Sequence, residues 1–135
     1  LNAGRGASHG AGTTTSALAS GGYTTAYVAV NESYNGTSWT EVADLNTSRG
    51  YATQTAGSSN TSALVVGGTP DTANTEVWNG TAWTELNNMP AVRVNAAGAG
   101  TTASALIAGG RNPNLTNTSL EWNDPVLSTK TADTD

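Results

Sequence analysis

Apolar residues occur along this chain in short bursts, and no stretch sustains the 3.6-residue period of a helix. The runs Ala17-Leu18-Ala19, Leu64-Val65-Val66 and Leu106-Ile107-Ala108 each lead into a glycine pair, Gly21-Gly22, Gly67-Gly68 and Gly109-Gly110. Apolar runs this short, bounded by turn residues, predict buried strands. After each pair the pattern alternates toward an aromatic residue, as in Thr75-Glu76-Val77-Trp78, and resumes as Trp83-Thr84-Glu85-Leu86. Between these two segments stand Asn35-Gly36, Asn79-Gly80 and Asn123-Asp124. Asn-Gly predicts a hairpin turn with positive φ at both central residues. Tiny residues near the head of each unit (Ala7-Ser8-His9, Ala52-Thr53-Gln54 and Ala96-Ala97-Gly98) supply a further short strand. The pattern therefore predicts an all-β chain of four-strand units.

The units repeat. Arg5, Arg49 and Arg93 fall 44 residues apart, as do Tyr34, Trp78 and Trp122, and Trp39 lies 44 before Trp83. The Arg-to-aromatic distance is 29 in every copy, whereas the Leu of the apolar run follows the Arg by 13, 15 and 13 residues (Leu18, Leu64, Leu106). Anchors that hold phase while connections change length indicate strands fixed by packing and joined by surface loops. The copies are taken as 1–44, 45–88 and 89–135.

An apolar run, a Gly pair and two aromatics a few residues apart, headed by an Arg, resemble the kelch repeat. Leu64 to Gly68 followed by Trp78 and Trp83 carries the likeness, as does Leu18 to Gly22 followed by Tyr34 and Trp39. The third copy departs from it, with Leu127 where the others have Trp. The resemblance implies a β-propeller of four-stranded blades, three of them in this chain, with tiny first strands lining a central channel. Segments such as Thr75 to Glu85 are also similar in wording to kelch-like arrays in structural proteins of marine, especially cyanobacterial, phages. That implies a virion or extracellular location. Propellers generally need at least four blades to close, so the ring is expected to be completed by other copies of the chain or by further blades of a longer one. The start at Leu1 favours a longer polypeptide.

Composition narrows the function. The net charge is −5 and the five basic residues do not cluster, which argues against a nucleic-acid partner, because phosphate binding needs a positive patch. No apolar run is long enough for membrane insertion by a helix. With no Cys, thiol catalysis and disulfides are excluded.

Few residues suggest chemistry. His9 is the sole histidine, and its repeat equivalents are Thr53 and Ala97, so it is read as lining the channel or the surface. Glu41 and Glu85 recur beside the fourth-strand Trp, and Glu32, Glu76 and Glu121 lie near the third strands. All five are expected on solvated surface, not converging on one cleft as glycoside hydrolysis requires. Arg5, Arg49 and Arg93 are expected to tie neighbouring blades through guanidinium hydrogen bonds. The Gly pairs and the aromatics Tyr34, Trp39, Trp78, Trp83 and Trp122 are read as structural anchors. The connections holding Thr69, Pro70 and Asp71, and Arg111, Asn112 and Asn114, differ most between copies and are the candidate ligand-binding loops. No catalytic, metal or cofactor residue is assigned. The expected function is a non-catalytic module binding virion proteins or the host surface. A glycan-binding, lectin-like assembly is the first alternative, and a fragment of a propeller enzyme the second.

Overall fold

The computed structural model describes residues 1–123 and 126–130, with 55–58 and 126–130 described by backbone alone. Twelve strands form three four-stranded antiparallel sheets, and no helix occurs among the described residues. The first sheet is β1 (His9–Gly12), β2 (Ala17–Tyr23), β3 (Tyr27–Tyr34) and β4 (Trp39–Val42), paired in sequence order. The second is β5 (Thr53–Ser59), β6 (Ser62–Val66), β7 (Thr75–Trp78) and β8 (Trp83–Leu86). The third is β9 (Ala97–Gly100), β10 (Ser104–Ala108), β11 (Ser119–Asn123) and β12 (Val126–Lys130).

The sheets stack face against face, and the apolar core lies between them. One cluster joins Ala11 and Leu18 of the first sheet to Ala63, Val65, Trp78 and Trp83 of the second, with Leu45 from the connection. The other joins Leu64 and Val66 to Ala105, Ile107, Leu120 and Trp122, with Met89 from the next connection. Strand β6 thus buries both faces, and Ala63 through Val66 are fully inaccessible. Alternation of side chains sends odd positions to one neighbour and even positions to the other. The two aromatics of the second copy meet on paired β7 and β8, their ring centroids 5.5 Å apart.

Strands β1, β5 and β9 lie side by side along one edge of the stack. They begin later than the tiny-residue segments suggest, because Ala7, Tyr51 and Asn95, which are 44 residues apart, adopt φ of 52°, 53° and 55°. A left-handed residue cannot continue an extended strand, so β1 starts at His9 and β9 at Ala97. These three residues also link the copies: Tyr51 N–H donates to Ala7 O at 3.1 Å, and Asn95 N–H to Tyr51 O at 3.0 Å.

The hairpin turns differ from expectation. Neither Asn35 nor Asn79 has positive φ; the loops span four residues, and only Gly36 and Gly80 are left-handed, both at 94°. Asn79 Oδ1 instead accepts from the N–H groups of Thr81 and Ala82, and Asn35 Oδ1 does the same for Thr37 and Ser38. The asparagine side chain caps the turn in place of a positive-φ backbone. Asp124, in the third predicted turn, lies outside the described residues.

Candidate functional site

Each buried Arg reaches into the sheet of its own copy. Arg5 donates from Nε to Gly21 O at 2.9 Å and from Nη2 to Ala19 O at 3.1 Å, and its Nη1 pairs with Glu32. Arg49 donates from Nη1 to Asn74 O at 3.0 Å, while its Nη2 pairs with Glu76 at 2.5 Å. The backbone N–H of Asn2 and of Asn46 completes the two carboxylates at 2.7 and 2.8 Å. This overturns the expectation that Glu32 and Glu76 are solvated, since they are 1% and 0% exposed. A carboxylate beside each of these two buried guanidinium groups offsets much of the cost of taking its charge out of water. The signal was present as a 27-residue spacing from Arg to Glu in both copies.

The expectation that guanidinium groups bind neighbouring blades is likewise corrected, because the backbone makes that link. Arg49 O accepts from Gly22 N–H at 2.8 Å, and Arg93 O from Gly68 N–H at 2.9 Å. In the third copy, Leu120 stands at the Glu position and Pro90 at the position of Asn46. The carboxylate and the N–H that would complete it are thus lost together. Arg93 donates instead to Thr118 Oγ1 at 2.6 Å.

Electrostatics follow this geometry. Burial pushes the Glu32 pKa upward, but the Asn2 N–H and the Arg5 guanidinium outweigh it and hold the carboxyl below its ordinary value. Burial lowers the Arg49 pKa against the opposing pull of Glu76 and Glu85. His9 is buried, and neither ring nitrogen has a hydrogen-bond partner among the described residues. Burial, then the charges of Arg49 and Arg5, depress its pKa to about 3. The imidazole is therefore neutral at physiological pH and packs beside Gly21. Glu41 and Glu85 are exposed, and Glu121 is half-buried.

The variable connections lie in one row. Gly6, Gly50 and Val94 bridge to Tyr23, Thr69 and Arg111, at the ends of the β2–β3, β6–β7 and β10–β11 connections. Because Ala7, Tyr51 and Asn95 tie the three bridging segments side by side, the three connections are neighbours. Pro70, Asp71, Arg111, Asn112 and Asn114 are exposed, and Thr69 is half-buried. Within the third connection Asn112 N–H donates to Asn114 O at 2.9 Å, leaving Leu115 87% exposed. Sequence reasoning missed the aromatic part of the row. Tyr23 and Tyr51 are 44% and 46% exposed, and the Tyr23 ring meets Tyr27 edge-on at 5.2 Å. These tyrosines lie outside the repeated aromatic phase, which was the available signal that they do not serve as repeat anchors. Row and rings present aromatic faces, amides and one guanidinium, groups chemically capable of stacking and hydrogen bonding.

No family model and no curated protein matches the chain. Among solved structures it is similar to that of YjhT, with a TM-score of 0.77 at 12% identity, over 95% of this chain and 46% of that one. The chain therefore spans less than half the length of that protein, and a likeness at this identity concerns the fold alone.

Proposed function

We propose that these sheets are kelch-like blades of a β-propeller and that the chain is a non-catalytic binding and structural module of a phage virion or its appendages. The observation that carries the binding role is the exposed row of connections, in which Tyr23, Tyr51, Arg111 and Leu115 stand on a repeating frame. Variable loops on a rigid scaffold are the usual seat of specificity. Virion proteins or surface molecules of the host cell are the partners this reading assigns, in a virion or extracellular setting.

Support for the non-catalytic part comes from how the ionisable groups are used. Glu32 and Glu76 are consumed in buried pairs, and His9 is held neutral far below its ordinary pKa. The propeller reading is supported by the aligned first strands and by the outward sequence of strands within each sheet.

A second reading, glycan binding, is favoured specifically by Tyr23 and Tyr51, whose exposed rings suit stacking on sugars. One experiment addresses both. The labelled chain is applied to marine cyanobacterial cells and to an immobilised glycan panel, beside the Tyr23→Ala, Tyr51→Ala and Arg111→Ala variants. Cell binding that falls at least tenfold in these variants supports the row as the binding face, and matching loss on the panel makes the partner a glycan. Unchanged binding in all three variants rejects the row.

A further inference from the structure

The positions that build the two contacts between sheets recur, uncovered, at the two ends of the stack. Leu18 and Leu64 are 1% and 0% exposed beneath the next sheet, whereas their equivalent Leu106 is 47% exposed. Around it opens a cavity of about 420 Å³ lined by Ala99, Gly100, Ser104, Ala105, Leu106 and Glu121. At the opposite end the missing complement is present. Trp78 and Trp122 are 2% and 1% exposed against the preceding sheet, but their equivalent Tyr34 is half-exposed. It packs with the half-exposed Trp39 at 5.1 Å between ring centroids. Leu45 and Met89 are each 4% exposed inside the stack, while Leu1, at the same phase, is 48% exposed.

The backbone ends match in the same sense. Between copies, Gly22 and Gly68 N–H donate to Arg49 and Arg93 O, and Tyr51 and Asn95 N–H donate to Ala7 and Tyr51 O. Continuing each series leaves Gly110 N–H and Asn95 O at one end, and Arg5 O and Ala7 N–H at the other. Among the described residues none of these four has a partner of this kind. One end therefore offers a donor and an acceptor where the other offers the corresponding acceptor and donor.

We propose that a second copy of this chain binds head to tail, seating Leu1, Tyr34 and Trp39 of one molecule on the Leu106 face of the next. The contact is heterologous, so it propagates until the rotation between sheets closes a ring. It continues the two contacts already present within the chain, and it rests on the stacking geometry, independently of the virion reading.

The test is the native mass of the 135-residue, 13.6 kDa chain beside two end variants. The wild type is expected as a discrete multiple of that mass. Leu106→Asp destroys the tail and keeps the head, while Trp39→Asp destroys the head and keeps the tail. Each variant alone is expected to be monomeric, with self-association weakened at least a hundredfold. Mixed together they retain one intact head and one intact tail, and are expected to form a one-to-one dimer. A wild type that stays monomeric at millimolar concentration overturns the proposal. So does a Trp39→Asp chain that still self-associates, which would mean tail-to-tail contact, and so does a mixture that gives no dimer. Both positions are at least partly exposed, so folding should survive. If circular dichroism shows that an Asp variant has unfolded, Leu106→Ser and Trp39→Ser repeat the same comparison.

Discussion

Glu76 has lost all contact with water yet lies on a strand whose sequence reads as an ordinary alternation. Its value to the fold depends on Arg49, because removing one partner leaves the other as a bare buried charge. Glu76→Gln is accordingly expected to destabilise the chain by about 3 kcal/mol in urea unfolding. In the third copy Leu120 stands at the Glu position, and the buried Arg93 donates to the Thr118 hydroxyl where the other copies offer a carboxylate. His9 poses the opposite case, a buried group that must stay neutral. Its folded pKa of about 3 lies below the ordinary value of 6.5, so the unfolded chain binds the proton more readily. Stability is full above pH 6.5 and is lost as pH falls toward 3. Between pH 7 and pH 5 the loss attributable to His9 is about 2 kcal/mol. Unfolding measured at those two values in His9→Gln should show that part of the pH dependence removed.

At the scale of the strand and its connections, the glycine pairs fix how closely neighbouring copies approach. Gly67 has φ of 65°, and a Cβ on it would lie 2.2 Å from Arg93 O. Gly67→Ala therefore meets both a strained backbone and a clash with main chain that cannot move aside. It is expected to cost about 2–3 kcal/mol. Gly4, with nothing within 4 Å of its added Cβ, is the control, and Gly4→Ala should leave the urea midpoint unchanged. The pair was legible in the sequence as a recurring signal, but its reason was not. It lies in the backbone hydrogen bond from Gly68 to Arg93 across two copies, a contact between residues 25 positions apart. The turns teach the same lesson, since Asn79 was correctly placed in a turn but acts through its side chain.

At the scale of the whole molecule, the described residues cover the middle sheet on both faces and the outer two on one face each. If copies associate through those open faces, folding is linked to concentration by mass action. The midpoint of thermal unfolding should then rise by several degrees as the wild-type chain goes from micromolar to hundreds of micromolar. In Leu106→Asp it should stay constant, and calorimetry at three concentrations checks both.

The sequence by itself determined the all-β class, the three copies, the order of strands in each and the anchor residues that hold phase. These depend on local alternation and on a fixed spacing, both of which are written along the chain. Only the tertiary structure decided which side of an alternating strand is dry. Glu76 reads as a solvent-facing acid, yet Arg49 and the backbone N–H groups of Asn46 and Thr47 enclose it. Leu106 reads like Leu64 yet is exposed, because Leu64 lies beneath the third sheet while no further sheet among the described residues packs on Leu106. Burial is a relation between sheets, and strand periodicity reports only the two faces of one.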